Sequence, residues 1–183
     1  MTRKIIGIDP GAKGFACVMD VETRAMEWMS IDDEGLTAMA DFLRRYDPSE
    51  CHVVMEEVHA LYGSSAKSTF AFGETYGYLQ GVIGALGFGY TLVSPKVWQK
   101  EIWTHSDMVW KTTTQKVKVL YDDGSEEVKD RVTKKVYTKE TSLNAARRLY
   151  PAVDWKKNER CRRTDDNKVD ATLIAEWGRR MSL

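Results

Sequence analysis

The stretch IIGIDPGAKG, residues 5–14, places apolar residues around Gly7, then a carboxylate, Asp9, and then a Pro10-Gly11 turn. A short apolar run bounded by a turn has the pattern of a strand buried on both faces. A charge at the end of such a strand is costly to desolvate. Asp9 is therefore either a turn former beside Pro10-Gly11 or a carboxylate held still for a partner that needs one. The neighbouring glycines leave room for a bulky anionic group to approach it.

Further along, GFACVMD (14–20) and AMEWMSI (25–31) are two more strand patterns separated by turn residues, so the chain opens with an antiparallel meander. Residues 34–46 carry Leu36, Met39, Phe42, Leu43 and Tyr46 at helical spacing, and Asp47-Pro48 stops that helix. CHVVMEEV (51–58) is a strand, 69–86 a helix with unusual glycines at 73, 77, 81 and 84, and YTLVSP (90–95) another strand. Helices are expected over 139–149 and 165–181. Between them, residues 104–138 alternate polar and β-branched residues around Asp123-Gly124, a strong hairpin signal. The order predicts one α/β domain over 1–183. It has a mixed central sheet with three antiparallel strands first, helices on both faces, and an inserted β-hairpin at 104–138. That order matches the ribonuclease H-like fold and also half of an actin-like sugar kinase, and fold alone does not choose between them.

Bulk composition narrows the function only a little. The 183 residues are 43% hydrophobic and 30% charged, with 27 basic and 27 acidic residues and no net charge. A balanced total neither announces nor excludes nucleic acid, because local patches decide. Three scattered cysteines, Cys17, Cys51 and Cys161, have no metal-type spacing and suggest reduced thiols. No leader pattern and no long apolar run is present, so a cytoplasmic location with no membrane partner is expected. His52, His59 and His105 have no nucleophile partner or ligand spacing and are taken as structural or surface residues.

Four carboxylates stand where propensity does not explain them. Asp9 ends the first strand and Glu56 the fourth, while Asp166 and Asp170 lie at the start of the last helix. Residues four apart share a helix face, so Asp166 and Asp170 point the same way and Asp165 faces elsewhere. Glu57 rivals Glu56, but strand alternation turns one of the two away, and Glu56 is favoured. Capping explains Asp165 or Asp166; it does not explain Asp170, a turn further in. Clustered carboxylates repel one another unless a divalent cation reverses the balance. Mg²⁺ or Mn²⁺, two ions per active site, suits that all-oxygen set and phosphodiester hydrolysis.

With those residues named, the chain resembles RuvC-type Holliday-junction resolvases, particularly the phage-encoded branch and the related chloroplast enzymes. The stretches that carry the resemblance are IIGIDPGAKG, VVMEEVHA, STFAFGETYGYLQGVIGALGFGYTLVSPKVWQK and RCRRTDDNKVDATLIAEWGRR. The resemblance implies catalytic, metal-holding roles for Asp9, Glu56, Asp166 and Asp170. Bacterial members often space the last two acids three apart, which would select Asn167; the four-residue spacing of the phage and chloroplast branch selects Asp166. It also implies a homodimer that nicks a four-way DNA junction symmetrically, leaving a 5′-phosphate and a 3′-hydroxyl, with no nucleotide cofactor.

Basic residues sit where phosphate contacts would serve such a substrate: Lys96 and Lys100 after the strand at 90–95, and Arg160, Arg162 and Arg163 before the last helix. Tyr62 and Phe70, near the glycine-serine loop after Glu56, are candidates to stack at the crossover. The helix glycines suit close approach of a second copy. Three other functions fit part of this pattern. An actin-like kinase needs a second half for which 183 residues leave no room. A catalytically inactive junction-binding relative would not need all four acids. A nuclease of broader range on flaps and forks keeps the same chemistry with a different substrate.

Overall fold

The computed structural model describes residues 2–11, 13–58, 65–121 and 125–183. Strands β1 (Lys4–Asp9), β2 (Phe15–Asp20) and β3 (Met26–Ser30) form the antiparallel meander. Strands β4 (Cys51–Glu56) and β5 (Gly89–Val93) then add in parallel beside β1, giving the sheet order β3-β2-β1-β4-β5. The two central strands, β1 and β4, are apolar at nearly every position because both faces of the sheet are covered.

Alternation sorts the core into two layers. Ile6, Ile8, Val53 and Met55 face α2 (Ala38–Leu43) and α3 (Ala66–Ala85), packing with Met39, Leu43, Leu79 and Ile83. Ile5 and Val54 face the opposite layer of α4 (Pro95–Ile102), α5 (Thr138–Leu149) and α6 (Asp166–Arg180), packing with Trp98, Leu143, Leu173 and Ala175. Gly7 belongs to this second face. A Cβ there would lie 2.2 Å from the Ala171 carbonyl oxygen and 2.4 Å from the Ala175 nitrogen. Helix α6 therefore rests directly on the β1 backbone, and only glycine permits it.

The helix expected over 34–46 is broken. A short helix, α1 (Ile31–Glu34), follows β3 without a gap, and Gly35, at φ +84°, separates it from α2. Helix α4 lies in SPKVWQK, a stretch whose basic residues had masked its helical start. Ser94 stands at its N-cap position and Pro95 opens it, while Trp98 and Ile102 are buried four residues apart.

The inserted hairpin is a ribbon of two eleven-residue strands, β6 (Trp110–Leu120) and β7 (Glu126–Val136), forming a sheet of its own. Its expected Asp123-Gly124 turn lies outside the described residues. The three cysteines are free thiols, and burial pushes Cys17 up to about 12. No described helix is long and apolar enough to cross a membrane.

Candidate functional site

Strand parity brings the first two acids together. Asp9 follows Ile5 and Gly7 on the α6 face of β1, and Glu56 follows Val54 on the same face of β4. Pairing of Ile8 with Met55 brings the C-terminal ends of the two strands side by side. Helix α6 runs across β1 at Gly7, one residue from Ala171, and so delivers Asp170 to the same end of the sheet. The turn beyond Asp9 is equally tight. The Gly14 nitrogen donates to the Gly11 carbonyl at 2.8 Å, and a Cβ on Gly14 would fall 2.1 Å from the Asp9 carbonyl oxygen. Gly14 is thus required by the backbone that holds Asp9.

The electrostatics record this convergence. Burial first, and then the charges of Asp170, Glu56 and Asp165, hold the Asp9 carboxyl well above the usual range, with Lys139 opposing them. Asp170 is pushed up to about 7 by burial, Glu56 and Asp166, against a hydrogen bond from Ser142 and the charge of Lys139. Its Oδ1 is buried and has no hydrogen-bond partner among the described residues. Burial also raises Glu56, and the Trp98 indole opposes that shift by donating to Glu56 Oε2 at 2.8 Å. Glu57 takes its backbone into β5 through the Val93 carbonyl.

Asp165 takes the capping role that the sequence left open between it and Asp166. Asp165 is the N-cap of α6, accepting from the Asn167 and Lys168 nitrogens at 3.0 and 3.1 Å. It was expected to face elsewhere, yet its charge reaches Asp9. Asp166 accepts from Lys139 Nζ at 2.7 Å. An all-carboxylate set with an orphaned buried oxygen fits a hard divalent cation. Among the described residues, no group of three or more such side chains is arranged to hold an ion.

The sheet order and helix layers match solved structures over almost the whole chain. Thermus thermophilus RuvC in complex with a Holliday junction substrate aligns with a TM-score of 0.55 at 14% identity, covering 97% of this chain and 96% of that one. A second Thermus thermophilus RuvC structure gives 0.55 at 15% identity, covering 98% and 96%. The fold is that of RuvC, within the ribonuclease H-like class. The sequence matches no protein-family profile and no curated protein.

On this RuvC fold the basic residues occupy two places. Lys96 and Lys100 lie on the exposed side of α4, opposite the side that buries Trp98. Arg160, Arg162 and Arg163 are exposed on a loop closed by a bridge between Lys156 and Thr164. Among the described residues none of these three arginines has an ion-pair partner, whereas Lys157 pairs with Asp32 at 2.7 Å. The buried Lys168 anchors the loop to α6 by donating to the Asp154 and Lys156 carbonyls at 2.9 and 3.1 Å. Phe70, on the first turns of α3, is 68% exposed. Tyr62 and His59 lie outside the described residues. His52 bonds Thr91, and the exposed His105 opens a 3₁₀ turn, so neither joins the acids.

Three residues at the carboxylate cluster carry little or no signal in the sequence. Trp98 could have been found from its i, i+4 partner Ile102 after a Ser-Pro helix start. Lys139 and Ser142, on the first turns of α5, carry no sequence signal, because only the docking of α5 beside α6 brings them to Asp166 and Asp170.

Proposed function

We propose that the protein is a structure-selective endodeoxyribonuclease that resolves four-way DNA junctions by symmetric, metal-dependent nicking. The convergence of Asp9, Glu56 and Asp170 at the end of β1 and β4 carries this reading, with one buried oxygen of Asp170 left unpartnered. The likeness in fold to a RuvC solved with a Holliday junction supports the choice of substrate.

Each residue has a task in that reaction. Asp9, fixed between two paired strands, and Asp170, oriented by Ser142, are the central oxygen donors. Glu56 is held in position by Trp98, and Asp166 would join the set on releasing Lys139. These carboxylates would hold two Mg²⁺ or Mn²⁺ ions, whose chemistry would be to activate a water and stabilise the leaving 3′ oxygen. Lys96, Lys100, Arg160, Arg162 and Arg163 contact phosphates without reading sequence. Phe70, with Tyr62, stacks on bases opened at the crossover. The products are a 5′-phosphate and a ligatable 3′-hydroxyl.

A homodimer places two such sites on the two strands to be cut. Gly73, Gly77, Gly81 and Gly84 on α3 support it: among the described residues nothing lies within 4 Å of a Cβ added at any of them. Each costs helix stability of about 1 kcal/mol relative to alanine, with no compensating contact among the described residues. The four-residue spacing of Asp166 and Asp170 favours the phage and chloroplast type of resolvase.

The experiment is cleavage of labelled four-way junction, flap and linear duplex in Mg²⁺ or Mn²⁺. Paired nicks on the junction alone support a resolvase. Cutting of all branched forms makes the protein a broader debranching nuclease, and binding without cutting makes it an inactive relative.

A further inference from the structure

The ribbon of β6 and β7 carries its charges unevenly. In an antiparallel pair, directly opposed residues share a face, so the register sorts every side chain to one side or the other. One face sets Lys111 opposite Lys135, Thr113 opposite Thr133, Gln115 opposite Arg131, and Val117 opposite Lys129. Over that length it holds four cations and no carboxylate. Glu127, nearer the tip, is already engaged by Lys129 at 3.2 Å and by the Tyr121 hydroxyl at 2.7 Å.

The other face is nearly neutralised. Lys116 stands opposite Asp130, Lys118 donates to Glu126 at 2.8 Å, and Lys134, opposite Thr112, lies 5.1 Å from the centre of the Trp110 ring. Like charges set directly opposite one another destabilise a ladder, so the Lys111–Lys135 pair works against the ribbon unless an anion lies between them. Among the described residues, Lys111, Arg131 and Lys135 have no ion-pair partner.

The ribbon is also rooted beside the carboxylates. The Tyr137 nitrogen donates to the Val109 carbonyl at 2.7 Å, and the Val109 nitrogen donates to Thr141 Oγ1 at 3.1 Å. Just before the ribbon, the buried Asp107 is clamped by Arg148 at 2.8 Å. Both attachments are to α5, whose Lys139 reaches Asp166. Lys111 Nζ lies 5.5 Å from the centre of the Tyr137 ring, so the cationic face begins at the N-cap of α5.

We propose that this face is a second DNA-contact surface, laid along the sugar-phosphate backbone of a duplex arm that leaves the carboxylate centre. The ligand class rests on the DNA-nuclease reading above. From residue 111 to residue 117 the strand advances about 20 Å, the length of roughly six phosphates on one strand. Lysine and arginine supply the charge, and Thr113, Thr133 and Gln115 are neutral partners of the kind that contact phosphate oxygens. The grip is independent of sequence and raises affinity for substrates with an intact arm.

Two matched triple variants of the full chain test it: K111A/R131A/K135A on the proposed face and K116A/K118A/K134A on the other. Each removes three positive charges, so a general loss of charge cannot separate them. Binding to a fluorescein-labelled four-way junction in EDTA is read by anisotropy across a salt series, with far-UV circular dichroism as the check on folding. The first triple is expected to lose affinity about tenfold or more, and its log–log salt slope to fall by about 2 to 3. The second is expected to stay within about twofold of wild type. Equal losses in the two triples, or no loss in the first, overturn the arm while leaving the nuclease reading intact. A wild-type protein that binds no DNA overturns both.

Discussion

Replacing Gly7 by alanine tests how the carboxylate on α6 is held against the one on β1. The added Cβ would meet the Ala171 oxygen at 2.2 Å, the Ala175 nitrogen at 2.4 Å and the Ala175 Cα at 2.9 Å. All three are backbone atoms inside α6, so no side-chain rotation relieves the clash. Restoring ordinary contact of about 3.5 Å requires the helix to retreat by roughly 1 Å. That helix buries Val169, Leu173, Ile174 and Ala175 in the core, and each would lose close packing. Overpacking costs about 1–3 kcal/mol, and a clash made entirely with backbone belongs at the upper end, about 3 kcal/mol. For a chain of this length that corresponds to a fall in Tm of about 6–12 °C. The same retreat shifts Asp170 relative to Asp9, and a displacement of about 1 Å at a reacting centre can cost about a hundredfold in rate. Thermal unfolding and junction cleavage are the two assays. A G7A protein with unchanged Tm and unchanged cleavage refutes the claim that direct contact between β1 and α6 builds the site.

Other perturbations follow from the same geometry. Burial pulls Glu176 upward, but hydrogen bonds from Arg179, Arg180 and Tyr150 outweigh it and hold the carboxyl at about 2. Its stabilisation is complete above an unfolded value of 4.5 and is lost as pH falls toward 2, about 3 kcal/mol in all. E176Q should therefore lower Tm at pH 7 and flatten its fall between pH 5 and 2; an unchanged acid limb contradicts the assignment. Trp98→Phe removes the indole donor to Glu56, so the carboxyl rises further and the acid limb of the cleavage profile moves to higher pH. It should also cost about 2 kcal/mol of stability, and an unmoved profile would make Trp98 a packing residue only. Gly77→Arg places its side chain in open space within one chain. Sedimentation should show a folded monomer in place of the proposed dimer, and an unshifted dimer removes α3 from the interface.

Much of this site is legible in the sequence because strand parity and helix periodicity act locally. Asp9 and Glu56 each end an apolar strand, and alternation alone puts them on one face once the strands pair in parallel. Asp170 stands out because it lies a turn beyond any capping role. The division between Asp165 and Asp166 is less legible: both suit a helix start, and only the cap bonds of Asp165 and the lysine that α5 brings to Asp166 distinguish them. Gly7 shows the same limit, since its requirement comes from Ala171 and Ala175, more than 160 positions away. The late start of α2 at Ala38 was hidden because Leu36 keeps helical spacing with Met39, Phe42 and Leu43. Helix α4 was obscured by treating SPKVWQK as a basic patch, although its Ser-Pro start and the Trp98–Ile102 pair encode it.

Cleavage of a four-way junction by wild type and Asp9→Asn, each in Mg²⁺ and in EDTA, tests the central claim most directly. The account predicts paired nicks in opposed strands by wild type in Mg²⁺ alone. Asp9→Asn should bind the junction with undiminished affinity and cut neither strand. Cutting by Asp9→Asn at the wild-type rate, or cutting by wild type in EDTA, would contradict it.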